Sequence, residues 1–352
     1  MMRFHISRLA CTVAIIGAVF GAAPPVAADQ MTHVVFPGES IQQAVDAAEP
    51  GDTVLLTPGT YRESVMVSTP GITLSGMGRS TVIEPAPKKT GKCAEAGNGI
   101  CVLGTKDHDV EGVTIASLTV TGFTSTGVFA MATDGLTVRN VTAVKNGVWG
   151  IAQERSVHGV FRKNTARDNG DAGLFLANTI KEEAGAADTG GTLVEHNRLE
   201  GNRIGLTVRR LRNLTVAANH LTGNCAGVFV VGDENKPRAG ALTVRDNSVV
   251  KNNKSCPKTA RLDALQGSGI VLTGTEDALV TGNRVIGNAG ASSLSGGIVL
   301  FKSFVGTPSE RNRISDNVLE DNAPADLVNT DAGKDNTFEH NTCRASRPAG
   351  MC

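Results

Sequence analysis

The chain has 352 residues, with 34 Lys and Arg set against 34 Asp and Glu, and its formal net charge is zero. It contains no basic run, so it lacks the electrostatic footprint of a nucleic-acid-binding protein. Aromatic residues make up 4% of it and Gly 41 positions, which suits an interior of Val, Ile, Leu and Ala with Gly and Asn at the turns.

The N-terminus carries Arg3 and Arg8, an apolar stretch from Cys11 to Ala23, and Val26-Ala27-Ala28 before Asp29. This pattern predicts a signal peptide over residues 1–28, cleavage after Ala28 and secretion of residues 29–352. Cys11 lacks the small apolar context of a lipoprotein box, and no later run is long enough to span a bilayer. Next, Ser40 to Ala48 reads as a helix, followed by Pro50-Gly51-Asp52-Thr53-Val54-Leu55-Leu56 and Pro58-Gly59-Thr60-Tyr61-Arg62-Glu63, two motifs that carry the resemblance to a first coil given below, within a cap region of 32–85. Asp107, His108, Asp109 and Glu111 have hard-metal character. However, Thr105-Lys106-Asp107 parallels Thr275-Glu276-Asp277, so a turn is expected there and no metal site is assigned.

From 97 to 345 the chain repeats itself. Asn, four residues, Asn recurs at Asn164/Asn169, Asn197/Asn202, Asn219/Asn224, Asn247/Asn252, Asn283/Asn288 and Asn317/Asn322. A second register begins strands at Gly127, Gly150, Gly173, Gly205, Gly227, Gly269 and Gly297. Asn and Gly tolerate the left-handed backbone of sharp turns, and the spacing suits three short strands and three turns per coil. This is the pattern of a solenoid, which extends its core coil by coil and needs no second domain. Stacked coils put like residues about 4.8 Å apart, so inward Asn side chains can hydrogen-bond up the stack, and about ten coils make a rod roughly 50 Å long.

With its opening helix and first-coil motifs, the mature chain resembles the pectin-lyase-like superfamily of right-handed parallel β-helices. That superfamily includes pectate lyases, polygalacturonases, alginate epimerases and lyases, and NosD-type periplasmic proteins. The resemblance implies an all-β, single-domain, three-sheet right-handed β-helix with an N-terminal capping helix. It says almost nothing about substrate.

After the signal peptide six cysteines remain, an even number that implies disulfides in an exported chain. Six cysteines allow 15 pairings. Cys225 follows Asn224 and Cys256 lies in the insert after Asn252, so the register pairs Cys225 with Cys256; Cys93 with Cys101 and Cys343 with Cys352 then complete the set.

Insertions fall after the Gly-led strands, at 181–191, 233–240 and 303–310, or before them, at 253–268 and 289–296. Long loops along both margins of one sheet make a trough, and loops on a rigid scaffold carry function disproportionately. In the superfamily the corresponding sheet forms the substrate groove. If Val128, Ile151, Leu174, Leu206, Val228, Ile270 and Ile298 point inward, then Phe129, Ala152, Phe175, Thr207, Phe229, Val271 and Val299 point outward. Phe175 and Phe229 are then positioned to stack on sugar rings or to be buried beneath the loops.

At the strand exits lies a polar cluster of Glu154, Arg155, Asn178, Arg209, Arg210, Asp233, Glu234 and Lys302. Paired arginines beside carboxylates suit an acidic polysaccharide, because guanidinium forks bind carboxylate in bidentate fashion. Removing the proton beside a uronate carboxylate needs that carboxylate neutralised and a base nearby. The candidate catalytic set is Arg209 and Arg210, with Glu154 orienting them and Arg155 beside it; Asn178, Phe175, Phe229, Asp233, Glu234 and Lys302 are the candidate binding residues. The alternative role for the cluster is a salt-bridge ladder between coils.

Tyr61 belongs to the first-coil motif and His158, His196, His220 and His340 lie off the proposed trough, so the tyrosine and histidine arrangement of many alginate lyases and epimerases is not evident. The closely spaced aspartates of polygalacturonases are not found on these strands; Asp233 and Glu234 are the nearest substitute for a two-carboxylate hydrolysis. No Met or His cluster favours copper. The expectation is a secreted monomer acting on an acidic, uronate-containing polysaccharide as a lyase or epimerase, without nucleic acid or membrane span. No cofactor is assigned; calcium remains compatible but has no clear site. The alternatives are a non-catalytic solenoid binding glycan or cell-envelope material, and a glycoside hydrolase.

Overall fold

The computed structural model describes residues 30–105, 107–260 and 262–352. The expected signal peptide and its cleavage site at Ala28 lie outside the described residues. From Thr32 the chain visits three sheets in turn. They contain 12 strands (Thr32–Val35 to Thr337–Glu339), 10 strands (Gly59–Arg62 to Val318–Glu320) and 11 strands (Val65–Val67 to Ser346–Arg347). In one coil, Thr137–Arg139 joins the first sheet, Thr142–Val144 the second and Trp149–Glu154 the third. The next coil repeats this course, pairing in parallel with the one before.

The core follows from strand alternation. Val128, Ile151, Leu174, Leu206, Val228, Ile270 and Ile298 stack in register at the interior of the third sheet, each fully buried. Val194, Val216 and Val244 do the same in the first sheet, and Leu199, Leu221 and Val249 in the second. Each such side chain contributes about 1.5–3 kcal/mol of hydrophobic stabilisation.

Two asparagine ladders run along the turns of this core. One passes through Asn164, Asn197, Asn219, Asn247, Asn283, Asn317 and Asn341, the other through Asn146, Asn169, Asn202, Asn224, Asn252, Asn288 and Asn322. In every rung, one Oδ1 accepts both the backbone N–H and the Nδ2 of the asparagine on the preceding coil. Asn219, for example, accepts from Asn197 N and Nδ2 at 2.9 Å each, and its own Nδ2 donates to Asn247 Oδ1 at 3.0 Å and Val194 O at 2.9 Å. The second ladder ends on buried Asp326, whose Oδ1 takes the place of the next amide.

The left-handed residue of each turn stands one place earlier than the asparagine. Lys163, Asp168, His196, Ala218, Asp246, Lys251, Asp316 and Asp321 carry φ between 50° and 58°. The asparagine is therefore fixed by its ladder bonds, and its neighbour bends the chain. The leading glycines answer a different constraint: a Cβ on Gly173 would lie 2.8 Å from Gly205 O and 2.9 Å from Asn202 Nδ2.

The N-terminal cap is the helix Ile41–Ala47, and Glu63 of the first coil accepts the N–H of Ile41 at 2.6 Å and of Gln42 at 3.2 Å. Tyr61 is buried and donates its hydroxyl to Val35 O at 2.8 Å, consistent with its place in the first-coil motif. Thr105 and His108 form a turn, His108 N donating to Thr105 Oγ1 at 3.1 Å. The disulfides are Cys93–Cys101, Cys225–Cys256 and Cys343–Cys352, the three pairings expected.

Asn219→Ala strands the N–H of Asn197 and removes donors to Asn247 and Val194, so it should destabilise the protein by about 1–3 kcal/mol in denaturant unfolding. Asp52 links the first coil to the cap, accepting from Met31 N at 2.8 Å, Glu49 N at 3.0 Å and His33 Nε2 at 3.0 Å. These contacts, the Glu49 N–H foremost, hold its carboxyl below the ordinary value of 3.8. A depressed folded pKa stabilises above the unfolded pKa, and that contribution disappears as pH falls through the folded value. Asp52→Asn should therefore lower Tm at neutral pH, and the gap to wild type should close in acid below the ordinary aspartate value.

Candidate functional site

The third sheet turns rows of side chains outward. Ala152, Phe175, Thr207, Phe229, Val271 and Val299 form one row, and Glu154, Ala177, Arg209, Val231 and Thr273 the row beside it. Phe175 and Phe229 are covered down to a few per cent exposure, and Trp149 stacks on Phe175 with ring centroids 4.4 Å apart and planes inclined by 17°. Over this floor lies a trough of about 1290 Å³, walled by the 253–268 loop on one margin and by Ile180 to Glu183 and Gly232 to Glu234 on the other. Phe304 and Val305, both exposed, project toward it from the 303–310 loop.

The walls are tied down individually. Arg203, 6% exposed, donates to the carbonyls of Pro257 and Asp263 in the 253–268 loop, and burial lowers its pKa while nearby Asp171 opposes the shift. Cys225–Cys256 fastens the same loop to the preceding coil. Across the trough, buried Arg210 is ion-paired with Asp233 and Glu183 and donates to Glu182 O at 2.7 Å and Thr179 Oγ1 at 3.2 Å. Ile180 is held from both sides: its N–H donates to Glu154 Oε1 at 3.0 Å, and its carbonyl accepts from Arg209 Nη1 at 3.3 Å.

Of the candidate residues, Arg209, Arg210, Phe175, Phe229, Asp233 and Glu234 line the trough, whereas Glu154, Arg155, Asn178 and Lys302 do not. Arg155 is exposed with φ 45°, its guanidinium against Met131 Sδ. Asn178 donates to Gly185 O at 2.6 Å and braces the 181–191 insert, and Lys302 is exposed. Glu154 accepts the Ile180 N–H. Arg210 is engaged by two carboxylates, and Arg209 lines the trough from the end of its strand. Sequence patterns missed Trp149, Asp171, Lys181, Glu183, Arg203 and Lys254, all lining residues; Asp171 accepts from Trp149 Nε1 at 3.0 Å.

The family model for the right-handed β-helix region matches residues 89–249, and that of the periplasmic copper-binding protein NosD matches 178–347. The chain is a right-handed parallel β-helix. The A-module of a mannuronan C-5 epimerase from Azotobacter vinelandii shares the β-helix at TM-score 0.56 and 19% identity, over 86% of this chain and 90% of that one. An alginate lyase from Paenibacillus sp. str. FPU-7 aligns at 0.55 and 14%, over 86% and 99%. A DFA-IIIase from Arthrobacter chlorophenolicus A6, without its lid and in complex with GF2, aligns at 0.56 and 13%, over 87% and 92%. No curated protein sequence matches the β-helix. Among the described residues no group of three or more His, Cys, Asp or Glu could hold a metal, and the six cysteines from Cys93 to Cys352 are in disulfides. The disulfides fit an extracellular or periplasmic location. No described helix is long and apolar enough to cross a membrane.

Arg210→Ala should cost about 3–5 kcal/mol, because it leaves the carboxylate of Asp233, 12% exposed, without its partner; urea unfolding measures this. Replacing Cys225 and Cys256 together by Ala should cost about 3–4 kcal/mol through the loop released in the unfolded chain. It should also speed proteolysis within the 253–268 loop.

Proposed function

We propose that this β-helix is exported and acts on an acidic, uronate-containing polysaccharide lying along the trough, as a lyase or epimerase. The observation that carries this reading is the combination of an aromatic floor (Trp149, Phe175, Phe229) with cationic side chains from several coils, Lys181, Arg209 and Lys254, around one trough. Sugar rings present apolar faces to aromatics, and uronate carboxylates suit guanidinium and ammonium groups. The fold shared with an alginate lyase and a mannuronan epimerase supports the same substrate class.

In the reaction, a guanidinium beside the uronate carboxylate stabilises the charge that develops when the C5 proton leaves. Arg209 fits that role, since it lines the trough at the end of its strand and carries a guanidinium fork suited to a carboxylate. Buried, ion-paired Arg210 instead shapes the wall. The proton passes to a base on the trough, for which the lining carboxylates Glu234 and Asp171 are the candidates. In elimination, the C4–O bond then breaks, the C4=C5 double bond forms and the leaving oxygen takes a proton. In epimerisation, a proton returns to C5 from the opposite face.

A second reading, a non-catalytic glycan-binding solenoid, is favoured by the engagement of Arg210, Asp233 and Glu183 with one another. Incubation with pectate, alginate and glycosaminoglycans, with and without calcium, separates the two when unsaturated ends, reducing ends and C5 inversion are all followed. The expected outcome is unsaturated product or inversion on an acidic polymer, lost by 10²-fold or more in Arg209→Ala at nearly unchanged Tm. Reducing ends without unsaturation would mean hydrolysis, and saturable binding without product would leave the binding solenoid.

A further inference from the structure

The trough floor contains a buried hydroxyl with no partner. Thr207 Oγ1 is one of six buried side-chain polar atoms that find no hydrogen bond among the described residues, and the one whose residue lines the trough. Thr207 is 5% exposed. A buried hydroxyl left unsatisfied works against folding, and such groups are rare enough that each calls for a reason. An apolar alternative of the same shape is at hand: the same outer row holds Val271 and Val299 a few coils away, both fully buried.

The surroundings indicate what the hydroxyl serves. Register places Thr207 between Phe175 on one coil and Phe229 on the next, so a short side chain between two long ones leaves a notch in the aromatic floor. Two residues along the same strand, Arg209 faces the same trough. A sugar ring seated over this notch would find apolar walls above and below, a hydroxyl at the bottom and a guanidinium at the side. Those are the groups that a uronate residue presents in complement: C–H faces, ring hydroxyls and a carboxylate.

We infer that Thr207 is a specificity-determining residue whose hydroxyl bonds a ring hydroxyl of one uronate sugar, seated between Phe175 and Phe229 with its carboxylate toward Arg209. This rests on the acidic-glycan reading proposed above. Thr207 thus carries a cost in the empty protein that is relieved on binding, and this separates it from a residue that serves the fold.

The chain has a single tryptophan, and it stacks on Phe175 beside this notch, so its fluorescence reports occupancy without background. Wild type, Thr207→Val and Thr207→Ser are titrated with oligogalacturonate and oligomannuronate, and the Tm of each is measured without ligand. The expected result is a saturable response in wild type, binding about 3- to 10-fold weaker in Thr207→Val, and near-wild-type binding in Thr207→Ser, which keeps the hydroxyl. Tm of Thr207→Val should equal or exceed that of wild type. Unchanged affinity in Thr207→Val overturns the inference while leaving the acidic-glycan reading intact, and a marked fall in its Tm overturns it by assigning the hydroxyl to the fold. No response of the wild-type protein to either oligosaccharide removes the acidic-glycan reading, and this subsite with it.

Discussion

The stacking of one coil on the next is the constraint from which the rest of the structure follows. Strand backbones spaced by about 4.8 Å leave no freedom in what stands above what. An interior side chain meets its counterpart, and a turn amide meets a turn amide. Asparagine fits the turn because its Oδ1 accepts two N–H groups from the coil below and its Nδ2 reaches both a carbonyl and the amide above. A buried turn would otherwise hold orphaned backbone groups. The ladder must also end somewhere: Asp326 closes it by accepting from Asn322 on one oxygen and from Arg344 N on the other.

The same register builds the trough. Interior rows of Val, Ile and Leu force the intervening residues outward in rows of their own, so Phe175, Thr207 and Phe229 are aligned by the core beneath them. Such a floor is as rigid as the sheet that carries it. The loops are held separately, Arg203 and a disulfide gripping one wall and Arg210 the other. Arg238 ties the 233–240 insert to Glu310 at 3.1 Å, at the end of the loop that carries Phe304.

Repetition made the fold legible in the sequence. Each asparagine pair and each leading glycine is a copy of the others, so a pattern seen six or seven times needs no single position to be decisive. Where copies fade, the reading stopped short: Asn146 and Asn341 belong to the ladders without a complete pair to announce them, and Asp326 closes one with a different residue. The site was legible only as far as the strands extend. Alternation places side chains up to Glu154, Ala177 and Arg209, where the strands end. Arg155, Asn178 and Arg210 come one residue later, where the chain turns, and left-handed φ at Arg155 and Arg210 breaks the alternation. Arg203 gave no signal, because it stands between a ladder asparagine and the next strand and finds its partners more than 50 residues away.

A trough tied down in this way should bind with little ordering of its own, since the entropy of fixing its loops has been met on folding. Its charges are largely committed already: Asp171 to Trp149, Asp233 and Glu183 to Arg210, Arg203 to two carbonyls. Commitments of this kind keep walls in place but leave few groups for a ligand. In such an environment the informative residue is the one without a commitment, because a sequence able to place valine in that row has kept threonine at position 207. Packing on the outer face of the sheet accounts for the valines and phenylalanines of its row, and the ladders account for the asparagines of the turns. The hydroxyl fits neither account, and a sugar seated in the trough supplies one.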